Sequence, residues 1–567
     1  MKKILAFVLV LMLAASCGAA MAEAYPWSQW PVSDGSVKVS IAIPRNSSYG
    51  VAAEETWFWP WFEKVTGIDF EITQILDEAV EEQKSLMLAS GDLPDVIWGI
   101  KLTTDDIVEY GTEEKILYNM ADLVNEEVMP NLMELVEYYP DIMAYITASD
   151  GGIYTLPWVW APAYGEETRS FISMPRMKEA GIAATPTTLD DFTNMLYAMK
   201  DASQMDDFIP LGGSWKAFSP IYYILNAMGF VSVDYNNGTE VAVRDGKAVV
   251  PATDPLFYEA LTILKQYYED GIIDPDFFSM DSTVVNAKCA EDKYGVYPFV
   301  PGVARPGDKA WENSWSSVTP LTSEWNDAQK WPAYNAVQVG GFQLSAKTEY
   351  AEEILRAFDA LFAYEGHFLA WDGPVFGTEL SENVGGIRFF FNEETGKYAS
   401  EFVNADGEKM EANAYRYSVG SGVAAYNLGN YQVWFDHESK GAYGYVASGI
   451  ADYAPATYEY STYEGETFSL DTVEGWRASM YNYITPYVVT AYPSIVYRSV
   501  EDSLRINELK TVLDPYIESA IAQFIVGDRA LNEEEFSKYI DELNKMGAAE
   551  LNEIYDRYYQ AYLSNLG

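Results

Sequence analysis

The run Leu86-Met87-Leu88-Ala89-Ser90-Gly91-Asp92-Leu93-Pro94-Asp95-Val96-Ile97-Trp98 leaves the backbone few paths to follow. Leu76, Val80 and Met87 fall on one face of an amphipathic helix, with acids between them. Ser90-Gly91-Asp92 ends that helix, because glycine accepts the left-handed conformation and Pro94 forbids a return to helix. Val96-Ile97-Trp98 is too short for a helix and wholly apolar, which predicts a strand buried in a parallel sheet. Open α/β sheets bind ligands at the carboxyl ends of such strands, so Trp98 stands where a ligand is expected.

The same punctuation recurs along the chain. Val37, Val39, Ile41 and Ile43 alternate with other residues and end at Pro44, the pattern of a first strand. Glu55 to Lys64 reads as a helix stopped by Thr66-Gly67, and Ile68, Phe70 and Ile72 open the next strand. Trp57 and Trp61 share a helical face while Trp59 points elsewhere. One of these faces belongs to a core, and at least one ring is expected to meet a ligand, because the helix follows a strand's carboxyl end. Thr103 to Ala148 reads as helices and loops. Asp150-Gly151-Gly152-Ile153-Tyr154-Thr155-Leu156-Pro157-Trp158 is a turn and a short strand, after which Trp158 and Trp160 either line a binding surface or pack a lobe edge. Thr188 with Asp191 makes a capping-box-like helix start, and Ile209 to Trp215 reads as another strand end. Gly340 to Ser345 is a strand, and Thr348 caps a helix that ends at Gly366-His367, before Ala370-Trp371-Asp372-Gly373. Residues 380–500 are rich in Tyr and Gly and show no readable pattern. Ile506 to Phe524 is one long helix broken at Gly527-Asp528, Asn532 with Glu535 caps the next, and Leu551 to Tyr562 is the last. No period of 20–50 residues recurs.

Taken in order, these phrases resemble extracellular solute-binding protein family 1, the substrate-binding proteins of ABC sugar importers, and within it the oligosaccharide-binding lipoprotein subgroup. The resemblance is carried by Phe62-Glu63-Lys64-Val65-Thr66-Gly67-Ile68, the Ser90 to Asp95 turn, Asp150 to Pro157 and Pro186-Thr187-Thr188. It continues in Asp270-Gly271-Ile272-Ile273-Asp274-Pro275 and Phe524-Ile525-Val526-Gly527-Asp528. It implies an α/β chain with a two-lobed periplasmic-binding-protein type II fold: interleaved lobes, a hinge, a helical C-terminal extension, and a cleft that closes around ligand without chemistry. On that scheme residues 1–22 are a signal peptide, or 1–16 if Cys17 is lipidated. Residues 23–155 and 336–415 form one lobe, and 156–335 and 416–567 the other. Placement after strand ends or beside the hinge nominates Trp57, Trp59, Trp98, Trp158, Trp160, Trp215, Trp371 and Asp372 as ligand-binding residues. Trp371 would stack on a sugar ring while Asp372 bonds its hydroxyls. The expected partners of this monomer are an oligosaccharide and the permease subunits of an importer, with no cofactor.

Composition narrows the alternatives. Lys plus Arg number 36 against 85 Asp plus Glu, a net charge of −49 that repels phosphate backbones and argues against nucleic acid as a partner. Aromatic residues make up 15%, including 16 Trp and 43 Tyr, an excess suited to stacking on the apolar C–H face of a pyranose. His367 and His437 are the sole histidines, and Cys17 and Cys289 the sole cysteines. That supply is too thin for a Cys/His metal site, a nucleophilic triad or a disulfide framework. Asp234 to Asp245 superficially suggests a calcium loop, but its glycine sits at position five and Asp245 at position twelve. Asn237-Gly238 and Asp245-Gly246 instead read as hairpin turns. Lys2 and Lys3, the apolar run Ile4 to Ala15 and Ala20-Met21-Ala22 form an export signal. Ala14-Ala15-Ser16-Cys17 also resembles a lipobox, so secretion and lipid anchoring both stay open, each placing the chain outside the cytoplasmic membrane. The rival from another class is a secreted glycoside hydrolase, which needs only two carboxylates about 5–10 Å apart. A non-catalytic surface adhesin is the third reading.

Overall fold

The computed structural model describes residues 29–138, 141–159, 170–232, 238–305, 311, 314–332, 337–392, 397–423, 483–489, 491–493 and 495–566. The chain divides into two compact units, Met1–Ala161 with Ala336–Ala454, and Pro162–Asn335 with Pro455–Gly567. The export signal, Cys17, Trp160, His437 and the Asp234 to Asn237 part of the polar loop lie outside the described residues.

In the first unit, the alternating Val37, Val39, Ile41 and Ile43 are all buried in the strand Val37–Arg45. Helix Phe58–Thr66 ends on Gly67 at φ 76°, and strand Ile68–Leu76 returns parallel to the first along its whole length. That ladder claims Leu76, which sequence periodicity had assigned to the following helix. Helix Val80–Ser90 consequently buries only Lys84 and Leu88 before closing on Gly91 at φ 63°. The Lys84 ammonium is partnered, donating to the Lys101 carbonyl at 3.1 Å. Strand Val96–Trp98 is buried throughout and pairs parallel with the first strand. Val337–Leu344 then joins antiparallel with Phe342 opposite Trp98, and Leu156–Val159 completes the five-stranded sheet. Register slips between Gln338 and Phe342, at Gly340-Gly341. Gly340 has φ 85°, and a Cβ there would stand 1.9 Å from the Leu102 carbonyl oxygen, so only glycine lets the strand pass.

Aromatic side chains fill the space between this sheet and its helices. Phe58, Trp59 and Phe62 point inward from one helix and meet Phe70, Trp98 and Phe358 at ring separations of 5.2–6.4 Å. Helix Ala351–Asp359 carries Phe358 into this cluster and ends on Asp359, whose carboxylate caps helix Pro130–Tyr138. Tyr350, not Thr348, is the N-cap of helix Ala351–Asp359, and the Thr348 hydroxyl accepts from the Tyr350 N–H at 3.4 Å. The chain does not stop at Gly366-His367 either. After a short turn at Ala360–Phe362 a further helix, Tyr364–Asp372, runs through both residues. Strands Gly386–Asn392, Lys397–Val403 and Lys409–Met410 form a small antiparallel sheet, followed by helix Ala412–Val419. These elements lie in the stretch that sequence periodicity left unread. The helix spans the expected lobe boundary after residue 415, and Leu156–Val159, expected in the other lobe, is held in this sheet by its pairing with Val337–Leu344.

The second unit has a four-stranded sheet in the order Trp315–Ser317, Phe171–Ser173, Tyr294–Tyr297, Ile209–Leu211, the last two parallel. Asp245 and Gly246, both at positive φ, turn the hairpin Ala242–Arg244 to Lys247–Val249 as expected. The C-terminal helices Val500–Val526, Glu533–Lys545 and Ala548–Leu566 pack their apolar faces into the main core of this unit. Asn532 accepts from the Glu535 N–H at 3.0 Å to start the second of them. The last helix is also tied to the hairpin. Asn552 and Asp556 side-chain oxygens accept from Val250 and Ala248 N–H groups at 2.8 and 3.0 Å.

Candidate ligand-binding site

The three parallel strands of the first unit end on one edge, and later segments of the unit are pinned there. Gly99, just past the third strand, packs so closely on Pro44 and Val423 that an added Cβ would reach 2.4 Å from the Val423 side chain. The Trp59 indole N–H donates to the Ser421 carbonyl at 3.1 Å, and Ser421 N–H donates to Ala370 at 2.8 Å. Helices Tyr364–Asp372 and Ala412–Val419 are thereby brought to the carboxyl ends of the strands, where α/β sheets take their ligands. Tyr49, from the loop after the first strand, is 43% exposed and stacks on Tyr417 at 6.2 Å and 12°. Tyr417 in turn meets the half-buried Trp371 edge-on at 6.5 Å.

Behind these rings sits a charged pair. Asp372 is buried and its Oδ1 accepts from Arg416 Nε at 2.8 Å. The guanidinium carbon lies 4.9 Å from the ring centres of both Trp371 and Phe402, within cation–π range of each. Burial pushes the Asp372 carboxyl above its ordinary value, while the Arg416 charge and hydrogen bond pull it back. Tyr415 is fully buried, and its phenol is raised by burial first and the Asp372 charge second. Its hydroxyl has no hydrogen-bond partner among the described residues, an uncommon condition for a buried polar group. Gly373 makes room for it at φ 70°; a Cβ there would approach the Tyr415 oxygen to 3.1 Å.

The eight nominated residues have separate fates. Trp371 is partly exposed in this cluster, and Asp372 stands beside it, with one carboxylate oxygen committed to Arg416. Trp57 is half-buried and stacks on Trp61 at 4.9 Å, on the face of its helix away from the core. Trp59 and Trp98 are 1% and 0% exposed and spend their faces on neighbouring core rings. Trp158 is 9% exposed on strand Leu156–Val159, packed over Gly341. Trp160 lies outside the described residues. Trp215 belongs to the second unit, where it is 4% exposed against Phe277 and Phe278. Sequence reasoning passed over Tyr49, Arg416 and Tyr417, although Tyr415-Arg416-Tyr417 alternates rings with a cation, a pattern worth reading inside a Tyr-rich stretch. It also passed over Phe218 and Phe299 of the second unit, half-buried and stacked at 4.0 Å beyond the carboxyl ends of its two parallel strands.

Among the described residues no group of three or more His, Cys, Asp or Glu is placed to hold a metal ion, and no helix is long and apolar enough to cross a membrane.

The family model for bacterial extracellular solute-binding proteins matches residues 43–368, more than half of the chain. The chain belongs to that family. This solute-binding protein is 28% identical over 246 residues to the fructooligosaccharide ABC transporter substrate-binding protein FusA of Streptococcus pneumoniae, a match covering 41% of this chain and 44% of FusA. It is 25% identical over 255 residues to lipoprotein LipO of Bacillus subtilis, again covering 41% and 44%. The match thus spans under half the length of these curated relatives. Among solved structures, the fold resembles an HMO-binding ABC-transporter-associated solute-binding protein of Bifidobacterium longum infantis. That likeness has a TM-score of 0.67 at 16% identity, over 93% of this chain and 99% of the other. It establishes the two-lobed α/β fold of solute-binding proteins.

Proposed function

We propose that this solute-binding protein captures an oligosaccharide outside the cytoplasmic membrane and delivers it to the permease of an ABC importer, without chemical change. The observation that carries this reading is the ring set of exposed Tyr49 and half-buried Tyr417 and Trp371 at the strand ends, backed by the Asp372–Arg416 pair. Rings offer stacking faces to the apolar side of a sugar, and the pair supplies fixed polar atoms at their edge. Phe218 and Phe299 give the second unit a comparable ring pair at its own strand ends. Trp57 and Trp158 are the further ring candidates, whereas Trp59 and Trp98 support the site from within the core of the first unit and Trp215 packs in the core of the second. Family membership and the resemblance to FusA support the transport role and the oligosaccharide class. The export signal, with either Cys17 lipidation or signal-peptide cleavage, completes it.

The test is a thermal-shift screen of the chain from Glu23 onward against oligosaccharides, followed by recovery of the ligand. Binding to the folded state alone raises the melting temperature by mass action, so a weak ligand registers at millimolar concentration. A ligand recovered intact supports capture for transport. Recovery of cleaved sugar would replace this reading with hydrolysis, and silence across a broad panel would refute carbohydrate binding.

A further inference from the structure

Within the carbohydrate-binding reading, on which this step rests, we infer that Arg416 is the side chain that reads the sugar hydroxyls. Asp372 is its positioning residue, and their cancelled charges select a neutral glycan over a uronic-acid one. A guanidinium carries five N–H donors in a rigid planar fork. Here Nε–H is spent on Asp372 at 2.8 Å, while the terminal nitrogens make no hydrogen bond to the described residues. The side chain is 23% exposed, so part of it reaches solvent while Nε is fixed by Asp372. Two contacts hold the plane of the fork: the Asp372 bond, and the rings of Trp371 and Phe402, each centred 4.9 Å from the guanidinium carbon. Adjacent hydroxyl oxygens on a pyranose present paired acceptors that suit such an edge, beside a Trp371 ring able to stack on the same sugar.

Charge decides the class of sugar. Arg416 is already balanced by a buried carboxylate, and the neighbouring Tyr417 phenol is raised by burial first and by the Asp77 charge second. A uronate would bring one more anion to a pair with no net charge, inside a chain of net charge −49. A neutral sugar meets no such opposition.

The experiment is calorimetric titration of the exported chain and three variants with matched neutral and uronic-acid oligosaccharides, each variant first shown to melt cooperatively. The wild type is expected to prefer the neutral series. Arg416→Gln should lose at least tenfold in neutral-glycan affinity, and Arg416→Lys nearly as much, because an ammonium keeps the charge without the fork. Asp372→Asn unbalances the guanidinium, so it should weaken neutral binding and shift the neutral-to-uronate preference about tenfold toward uronates. A merely structural role for Asp372 would weaken both series alike. Wild-type preference for uronates would overturn the inference, as would Arg416→Gln binding neutral glycans like the wild type. Absence of binding to either series by the wild type would instead refute the carbohydrate reading itself.

Discussion

Asp359 is 1% exposed at the end of its helix, and its carboxylate is shared among three donors from a distant part of the first unit. Oδ2 accepts from the Asn131 backbone N–H at 3.0 Å and from its side-chain amide at 2.7 Å, and Oδ1 accepts from Leu132 N–H at 3.0 Å. Two of these donors are first-turn N–H groups of helix Pro130–Tyr138, which no intrahelical carbonyl can serve. Asp359→Ala removes a cap, worth about 1 kcal/mol, and leaves buried donors unpaired at roughly 1–3 kcal/mol more. A loss of about 2–4 kcal/mol is therefore expected at pH 4, and a smaller one at pH 7. Burial raises the carboxyl from 3.8 to about 6, with the three donors and Arg356 pulling the other way. Between those values the folded chain holds a proton that the unfolded chain has released. This group's stabilisation is thus fully present below about pH 4 and is lost as pH rises through 6. The swing amounts to roughly 3 kcal/mol at about 1.36 kcal/mol per pH unit. Urea unfolding across pH 4–7 measures the slope, and hydrogen exchange in the Pro130–Tyr138 amides isolates the local effect in a chain of two units. Asp359→Asn cannot titrate and should flatten the slope. An Ala variant within 1 kcal/mol of wild type at pH 4, or an Asn variant with the wild-type slope, would refute the argument.

Two tryptophan substitutions should separate binding from packing. Trp371→Ala is expected to weaken oligosaccharide binding about tenfold while moving the melting temperature of the free chain little, since a stacked ring contributes on the order of 1 kcal/mol. Trp98→Ala should instead cost about 3–5 kcal/mol of stability, read as a fall in urea midpoint, because it empties a fully buried position among Phe58, Trp59 and Phe358. Gly340→Ala should destabilise the first unit by more than the usual surface substitution. Its Cβ would run into the Leu102 backbone, with the carbonyl oxygen at 1.9 Å, at positive φ, and unchanged melting would contradict that crowding. The Cys289 thiol is buried and its ionisation is pushed up to about 12, chiefly by burial. It should react with a disulfide reagent only on unfolding, and rapid labelling of the native chain would count against its enclosure.

How far the architecture was legible depended on whether its signals were local. Gly67, Gly91, the Asp245-Gly246 turn and the Thr188 and Asn532 caps each act within a few residues, and each sits where its chemistry implies. The parallel strands were legible too, Val37–Arg45 by its apolar alternation and Val96–Trp98 by its wholly apolar run. Leu76 was misplaced because its fate is decided across the sheet: a nine-residue parallel ladder outweighs the 3.6-residue period that Leu76 shares with Val80 and Met87. Binding residues suffer most from this non-locality. Trp98 and Trp371 look alike as rings after apolar segments, yet one is sealed by Phe358, some 260 residues downstream, and the other stays open. Asp372 beside Trp371 reads as a ligand for hydroxyls until Arg416 arrives from a helix whose flanking sheet has no apolar alternation clear enough to read. A carboxylate adjacent to a ring in sequence therefore marks the neighbourhood of a sugar site. Whether it touches the sugar or holds the residue that does depends on which cation the fold delivers to it.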